Sequence, residues 1–201
     1  AKIRFHNKEH SVLRYQNQEE HISCIDDIRN PLIRESMRLS GLHNTPVVLE
    51  THTDVGSDSG LGMSGSLTVS LLHAMYALQN KFVSKEQLID EAAHIEVNIL
   101  QGASGFHDPA ICALGGMQFL QYDGKTVQHS NLDPTGKIAQ QLQKNFLFFY
   151  TNWHNKSTPS LRILIENMSS ALPELHKIHQ LGHECKDKIL SNDIQKFGDI
   201  I

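Results

Sequence analysis

The sequence lacks the features that mark several large classes of protein. No apolar run approaches the roughly 18 residues that a membrane-spanning helix needs, and AKIRFHNKEH at the start lacks the apolar core of a signal peptide. No segment is rich in lysine and arginine, so nothing indicates a surface for the nucleic-acid backbone. We therefore expect a protein that binds neither membranes nor nucleic acids.

Cysteine is also scarce. The chain of 201 residues has three, Cys24, Cys112 and Cys185, which are too few and too scattered for a disulfide framework or a zinc knuckle. A reducing cytoplasm is the simplest setting for such a sequence. The hydrophobic fraction of 39% and the net charge of −4 are ordinary for a globular protein, and neither indicates an oligomeric state.

Short patterns predict a mixed α/β chain in its first two thirds. Strand-like alternation occurs in residues 2–25 and in PVVLETHTD. Helices are predicted where a capping residue precedes apolar repeats, namely after Asn30, from about Ser64 to Gln79, and after Ser84.

The pattern changes near residue 134. Before this point, MQFLQYDGKTVQHS predicts a hairpin that turns at Asp123-Gly124. After it, GKIAQQLQKNFLFFYT predicts a helix followed by a buried strand, and the remainder is largely helical. We therefore predict a first domain over residues 1–134 and a second that begins at 135 and continues to 201.

The stretch SGLGMSGSLTVSLLHAMYAL is the most informative in the chain. Gly60, Gly62 and Gly65 fit the pattern G-x-G-x-x-G, which is weak evidence alone. No strand runs straight into Gly60, as a dinucleotide site requires, and neither the V-A-I-K strand of protein kinases nor a Walker A pattern is present. What remains is a glycine loop that opens into a helix, which suits phosphate binding. A glycine-rich turn with a serine cap fits equally well.

Two acidic residues downstream could complete a phosphoryl-transfer site. Glu96 lies beside the apolar face of a helix, where an acid can point into a cleft or simply into water. Asp108 could be a catalytic carboxylate, or the N-cap of a short helix that begins at Pro109 and stops at Gly115. A helix N-terminus, a hydroxyl, a metal-binding carboxylate and a second carboxylate are the groups that phosphoryl transfer needs.

A cluster of histidines in ELHKIHQLGHEC offers a different chemistry. His176, His179 and His183 are spaced so that they could share one helix face and bind a metal ion. The alternative is a solvated helix face, which Gly182 favours because glycine weakens the helix where a rigid site would be needed.

In this order the motifs resemble those of the GHMP kinases. SGLGMSGSLTVSLLHAMYAL is similar to the family's central glycine–serine motif, and EAAHIEVNILQGASGFHDPAICALGG resembles its helix acid followed by G-x-x-D-x-x-x-x-x-x-G-G. Together with NPLIRESMRLSGL, VSKEQLIDEAAHIEVNIL and FLFFYT, the chain most resembles the branch that phosphorylates D-glycero-D-manno-heptose 7-phosphate. The resemblance implies the family's two-domain α/β (α+β) fold. The first domain would be like domain 2 of ribosomal protein S5, and the second would be part of a mainly helical, ferredoxin-like domain.

The resemblance also implies a set of site residues. Asp108 would be the catalytic base or would orient the substrate hydroxyl, while Ser64 and Glu96 would coordinate Mg²⁺. The implied activity is that of an ATP-dependent sugar kinase acting on the anomeric hydroxyl of a phosphorylated heptose. The ATP phosphate loop would consist of Gly60, Leu61, Gly62, Met63, Ser64, Gly65 and Ser66.

Some residues depart from the family pattern. Met63 stands where the family usually has its first serine, and FHDPA replaces a more common Gln-Asp-Gln in the heptose kinase branch. The family's N-terminal strand motif and its C-terminal glycine-rich loop do not occur in these 201 residues, which therefore resemble the middle of a longer protein. Two alternatives stay open: a kinase for another sugar, fucose- or galactose-like, and a degenerate nucleotide-binding protein without transfer activity.

Overall fold

The computed structural model describes residues 1–54, 59–102, 105–149, 151 and 157–201. These residues form two compact units, one containing Ala1–Ala113 and the other containing most of the chain from Leu114 onward. Among them, no helix is both long enough and apolar enough to cross a lipid bilayer. The division into domains at residue 134 remains a prediction.

The first unit is built on a four-stranded sheet in the order β1-β4-β2-β3. Strand β4 runs parallel to β2 and antiparallel to β1, and β2 and β3 form a hairpin. The strand rhythm read from residues 2–25 and the strand expected in PVVLETHTD are therefore present. The strands are β1 (Lys2–Phe5), β2 (Ser11–Tyr15), β3 (Gln18–Ile22) and β4 (Val47–Glu50).

Helices α1 (Pro31–Leu39) and α3 (Lys85–Ala93) begin at the caps expected from the sequence. The Asn30 side chain accepts hydrogen bonds from the backbone N–H groups of Leu32 and Ile33, and Ser84 accepts one from Gln87. These bonds satisfy N–H groups that have no partner within the helix. The helices therefore start where local side-chain chemistry places them.

Helix α2 (Met63–Leu78) is the central element of the first unit. Its Leu71 and Met75 are fully buried in one apolar core with the sheet and α1. Its Val69, Leu72 and Tyr76 belong to a second core with α3. A helix that is apolar on two of its sides packs against both neighbouring layers, so the glycine loop at its N-terminus is attached to a well-packed element.

The second unit contains an antiparallel hairpin and several helices. Strands β5 (Gln118–Tyr122) and β6 (Val127–Asn131) turn at Asp123-Gly124, as expected. The Asp123 carboxylate accepts hydrogen bonds from the N–H groups of Lys125 and Thr126. The helices of this unit are α5 (Lys137–Asn145), α6 (Ser157–Glu166), α7 (Met168–Leu190) and α8 (Ile194–Ile200).

The buried strand expected in FLFFYT is wrong for the residues that the structure describes. Residues 146–149 follow α5 without strand structure, and Leu147 and Phe148 are 82% and 81% exposed. A strand needs a neighbouring strand to satisfy its backbone groups, and none pairs with these residues in the described part of the chain. Tyr150 lies outside the described residues.

The histidine cluster of α7 packs as ordinary side chains. The ring of His183 lies 5.2 Å from the ring of Phe119 and 4.9 Å from that of His179, measured between centroids. The ammonium group of Lys186 lies 4.5 Å from the centre of the same Phe119 ring. Within the described ranges, no three or more metal-binding side chains form a group that could hold a metal ion. The structure therefore offers no support for a metal site here.

Candidate active site

The glycine loop leads directly into helix α2. Gly62 precedes the helix with a φ of 67°, in the left-handed region that favours glycine. The helical hydrogen bonds begin with Ser66 N–H donating to Gly62 C=O, so the N–H groups of residues 63–65 have no partner within the helix. The cap is Gly62 and not a serine, so the serine-capped turn that the sequence also allowed is wrong.

Two of the glycines lie directly against Asp108. A Cβ atom at Gly65 would stand 2.8 Å from the Cβ of Asp108 and 2.9 Å from the backbone N of Pro109. A Cβ at Gly62 would stand 3.2 Å from Asp108 Oδ1. Only glycine at position 65 permits this approach, which brings the N-terminus of α2 against the first turn of α4 (His107–Leu114). Gly60 is different, because a side chain there would meet open space.

Asp108 lies inside α4 and not at its cap. The helix begins at His107, and Ala110 N–H donates to Phe106 C=O. The alternative in which Asp108 caps the helix is therefore wrong, although Gly115 does follow its last residue with a φ of 70°. The Asp108 side chain is 29% exposed and lies 3.0 Å from His107, measured from Oδ1 to Nε2. A partly exposed carboxylate next to a helix N-terminus can receive a proton from a bound hydroxyl group.

Glu96 lies in a π-helical segment, His94–Ile99, that continues from α3. Leu100 N–H donates to Ile95 C=O five residues back, which widens the helix. The side chain of Glu96 is buried, at 7% exposure, and not directed into water. A π-helical turn of this kind is frequent at functional sites.

The Glu96 carboxylate contacts the first turns of α2. It accepts hydrogen bonds from the hydroxyl groups of Ser64 and Thr68, the latter at 3.2 Å. Thr68 is fully buried, and its hydroxyl also lies 2.9 Å from the Ser64 carbonyl oxygen. Ser64 and Glu96, which the sequence places 32 residues apart, therefore share one site.

The site contains two neighbouring carboxyl groups, those of Glu96 and Asp108. Burial raises the pKa of Glu96, and the charge of Asp108 adds to this effect, while the hydrogen bonds from Ser64 and Thr68 oppose it. Within the described ranges, no lysine or arginine forms an ion pair with either carboxylate. Two neighbouring carboxylates without such a partner favour a bound cation.

Cys112 also faces this site. It lies one helical turn after Asp108, and Ser66 forms a hydrogen bond to its thiol. Desolvation raises the pKa of Cys112, as do the charges of Asp108 and Glu96, although the residue is exposed overall. The thiol is therefore held in its neutral form at ordinary pH.

A cleft of about 1220 Å³ opens beside the start of α2. Its walls include the β2–β3 turn, residues 50–54 and the loop residues Leu61, Met63 and Ser66. Arg14 lies in one wall, where its guanidinium contacts Glu19 and Glu50 at 2.6 Å each. The cleft is large enough for a ligand of nucleotide size and adjoins the candidate phosphate loop.

Sequence reasoning missed three residues of this site: Thr68, Cys112 and His107. Thr68 is four residues after Ser64, and Cys112 is four after Asp108, so each lies on the same helix face as a residue already singled out. This four-residue spacing is the sequence signal that could have identified both residues. His107 gave no periodic signal, because neighbouring residues on a helix do not normally face each other.

Comparisons with known proteins show which proteins this part of the chain is similar to. Residues 27–116, which include the loop, Glu96 and Asp108, match the family described as GHMP kinases N terminal domain. D-glycero-alpha-D-manno-heptose 7-phosphate kinase from Campylobacter jejuni is 30% identical over 105 residues, which cover 52% of this chain and 31% of that protein. Mevalonate kinase from Archaeoglobus fulgidus is 26% identical over 155 residues, which cover 76% of this chain and 49% of that protein.

The fold matches a solved structure as well. The D-glycero-D-manno-heptose 1-phosphate kinase from Bacteroides thetaiotaomicron superimposes with a TM-score of 0.81 at 19% identity, covering 99% of this chain and 63% of that one. The expected mixed α/β fold of these kinases is thereby confirmed. The chain spans between about a third and a half of the length of the two curated relatives.

Proposed function

We propose that the protein transfers the γ-phosphoryl group of ATP to the anomeric hydroxyl of a phosphorylated heptose, since residues 27–116 match the family described as GHMP kinases N terminal domain. The acceptor would be D-glycero-D-manno-heptose 7-phosphate and the product its 1,7-bisphosphate. The observation that carries the proposal is the meeting of the glycine loop, Glu96 and Asp108 at one helix N-terminus. The name of the similar Campylobacter jejuni protein, a heptose 7-phosphate kinase, supports the choice of acceptor.

ATP would bind with its phosphates at the loop from Gly60 to Ser66. The N–H groups of residues 63–65 and the positive end of the α2 dipole attract an anion there. Met63, which replaces a serine of the family pattern, leaves this contribution intact because the backbone supplies it. The adjoining cleft would hold the nucleoside.

The donor set at Glu96 fits Mg²⁺. A carboxylate and the Ser64 hydroxyl are hard oxygen ligands, and magnesium is commonly held by one or two protein groups together with substrate phosphates. When bound, the ion would neutralise charge on the phosphates.

Asp108 would act on the acceptor. Its carboxylate would accept the proton of the anomeric hydroxyl as the oxygen attacks the γ-phosphorus, and the bond from that phosphorus to the bridging oxygen of ADP would break. The partial exposure of Asp108 leaves it accessible to a sugar, while the α2 N-terminus lies against it. The groups that would position the substrates and those that would neutralise charge therefore lie within one small region.

The test is phosphate transfer to heptose 7-phosphate by the whole protein, with Asp108→Asn as the variant. Asparagine keeps the shape and removes the base, so we expect kcat to fall about 100-fold or more, which corresponds to about 3 kcal/mol. Undiminished turnover in Asp108→Asn would exclude the assigned role.

A wider acceptor range is the second candidate. The mevalonate kinase relative matches over more of this chain than the heptose kinase does, 155 residues against 105. A panel of heptose 7-phosphate, fucose, galactose and mevalonate, compared by kcat/KM, separates the acceptors. ATP binding without turnover on any of them would favour a degenerate nucleotide-binding protein.

A further inference from the structure

His107 lies beside Asp108, and the proposed reaction gives it no role. Its Nε2 lies 3.0 Å from Asp108 Oδ1, although its side chain is 71% exposed. Consecutive residues on a helix point about 100° apart, so helix geometry alone does not produce this contact. The imidazole ring turns back towards the carboxylate, although as an exposed side chain it has other rotamers open to it.

The contact involves one carboxylate oxygen in particular. Oδ1 lies 3.0 Å from His107 Nε2, and a Cβ at Gly62 would stand 3.2 Å from the same oxygen. For a neutral His107 to donate a hydrogen bond across this distance, its proton must lie on Nε2, because the ionised carboxylate can only accept. Such a bond would select one histidine tautomer and would restrain Oδ1.

The other titratable groups around Asp108 make its contact with His107 distinctive. Glu96 from the π-helical segment and the Cys112 thiol from α4 are the other titratable groups coupled to Asp108. Neither can donate positive charge, and within the described ranges no lysine or arginine pairs with Asp108. His107 is thus the side chain there that can both donate a hydrogen bond to Asp108 and carry a positive charge.

We propose that His107 is a positioning residue for the phosphoryl transfer. It donates its Nε2–H to Asp108 Oδ1 and thereby leaves Oδ2 to accept the proton of the acceptor hydroxyl. This inference rests on the proposed function for the role of Asp108, but the contact itself can be tested separately.

Kinetics of the whole protein test the positioning role. In His107→Ala the carboxylate loses its orienting donor, and we expect kcat to fall about 10- to 100-fold while the KM for ATP changes less than about 3-fold. In His107→Gln the amide supplies a donor, and we expect kcat to return to within about 5-fold of wild type at pH 7 to 8. Wild-type kcat in His107→Ala, or equal losses in both variants, would overturn the proposal.

Thermal unfolding of the two variants distinguishes a positioning role of His107 from a structural role. Because His107 is largely exposed, we expect both variants to unfold within about 2 °C of wild type. If His107→Ala unfolds at a much lower temperature, the residue has a structural role and the proposal is wrong.

The second readout does not depend on activity. The ring nitrogen chemical shifts of His107, assigned by comparison with His107→Gln, report which nitrogen carries the proton in the neutral form. We expect the Nε2–H tautomer to dominate in wild type and the preference to weaken in Asp108→Ala. An unchanged tautomer in Asp108→Ala would overturn the inference. Absent turnover in wild type, with the tautomer change still present, would instead refute the proposed function.

Discussion

Glu96 is a buried carboxylate whose neighbours include a second carboxylate, Asp108. Its pKa is higher in the folded than in the unfolded protein, so the folded state binds its proton more tightly. The free energy of unfolding therefore falls as the pH rises from the ordinary glutamate range through the raised pKa. Below that range the carboxyl is protonated in both states and this cost disappears. Glutamine at position 96 cannot ionise and escapes the cost.

We predict that Glu96→Gln stabilises the protein without ligands at pH 7.5 and weakens its response to Mg²⁺. An increase of about 2–4 °C in Tm corresponds to about 1 kcal/mol for a chain of this size. The difference from wild type should shrink at pH 4. Thermal unfolding at both pH values measures this, with Glu9→Gln as the control at an exposed carboxylate. A lower Tm for Glu96→Gln at pH 7.5 would contradict the assignment of a charge cost to this site.

The sequence predicted Glu96 as a site candidate but not its burial. A regular helix over residues 85–99 would bury Leu88, Ala92, Ile95 and Ile99 and leave Glu96 at the boundary. The π-helical segment changes the rotation of the side chains, so Glu96 is buried while Ile99 is 40% exposed. Single-sequence periodicity assumes a constant rotation per residue, and it therefore cannot predict a local widening of the helix.

At the scale of elements, the packing of α2 against α4 depends on Gly65. An alanine there would place its Cβ within 3 Å of backbone atoms of Asp108 and Pro109, so one helix must move. We predict that Gly65→Ala lowers the free energy of unfolding by about 1–3 kcal/mol and displaces Asp108. Denaturant unfolding measures the first effect, and kcat in the kinase assay measures the second.

Gly182→Ala is the matched control for this substitution. Gly182 lies in α7, and a Cβ there would contact nothing within 4 Å. Alanine favours a helix over glycine, so this change should raise stability by about 0.5–1 kcal/mol. If Gly65→Ala and Gly182→Ala changed the free energy of unfolding in the same way, the close approach at Gly65 would not explain a loss of stability in Gly65→Ala.

The starts of α1 and α3 were the elements that sequence predicted best, and the segment after α5 was predicted worst. Asn30 and Ser84 cap their helices through local hydrogen bonds, so a few residues suffice to place them. Residues 146–149 have the apolar composition of a buried strand but lie exposed. The burial of a strand depends on a partner segment elsewhere in the chain, and residue composition does not specify that partner.

At the scale of the whole molecule, the two compact units differ in what they contribute to the site. The loop, Glu96, Asp108 and the cleft all belong to the unit that contains Ala1–Ala113. The ordered spacing of the motifs, and not any one of them, allowed the family and its fold to be inferred from sequence. The contacts between the motifs, such as that of Gly65 with Asp108, join residues far apart in the sequence. Only the three-dimensional structure shows them.

This division predicts where a bound nucleotide protects the chain. Hydrogen exchange resolved by segment reports the opening of each unit separately, so it is the measurement that tests this prediction. With ATP and Mg²⁺ at about 100 times Kd, the site should gain about 2.7 kcal/mol of protection against opening. We expect slower exchange in residues 60–68 and 94–102, and unchanged exchange in 176–190 of α7.

Asp108→Asn separates binding from chemistry in the same experiment. The loop and Glu96 are intact in this variant, so ATP with Mg²⁺ should still slow exchange in residues 60–68 although turnover is lost. Glu96→Gln should lose the part of the protection that Mg²⁺ adds to that of ATP alone, because the carboxylate ligand is absent. Exchange in residues 63–66 that ATP with Mg²⁺ leaves unchanged in the wild-type protein would show that the phosphates do not bind at the N-terminus of α2. In that case the close packing of Gly62 and Gly65 against Asp108 would be the whole reason for the glycines.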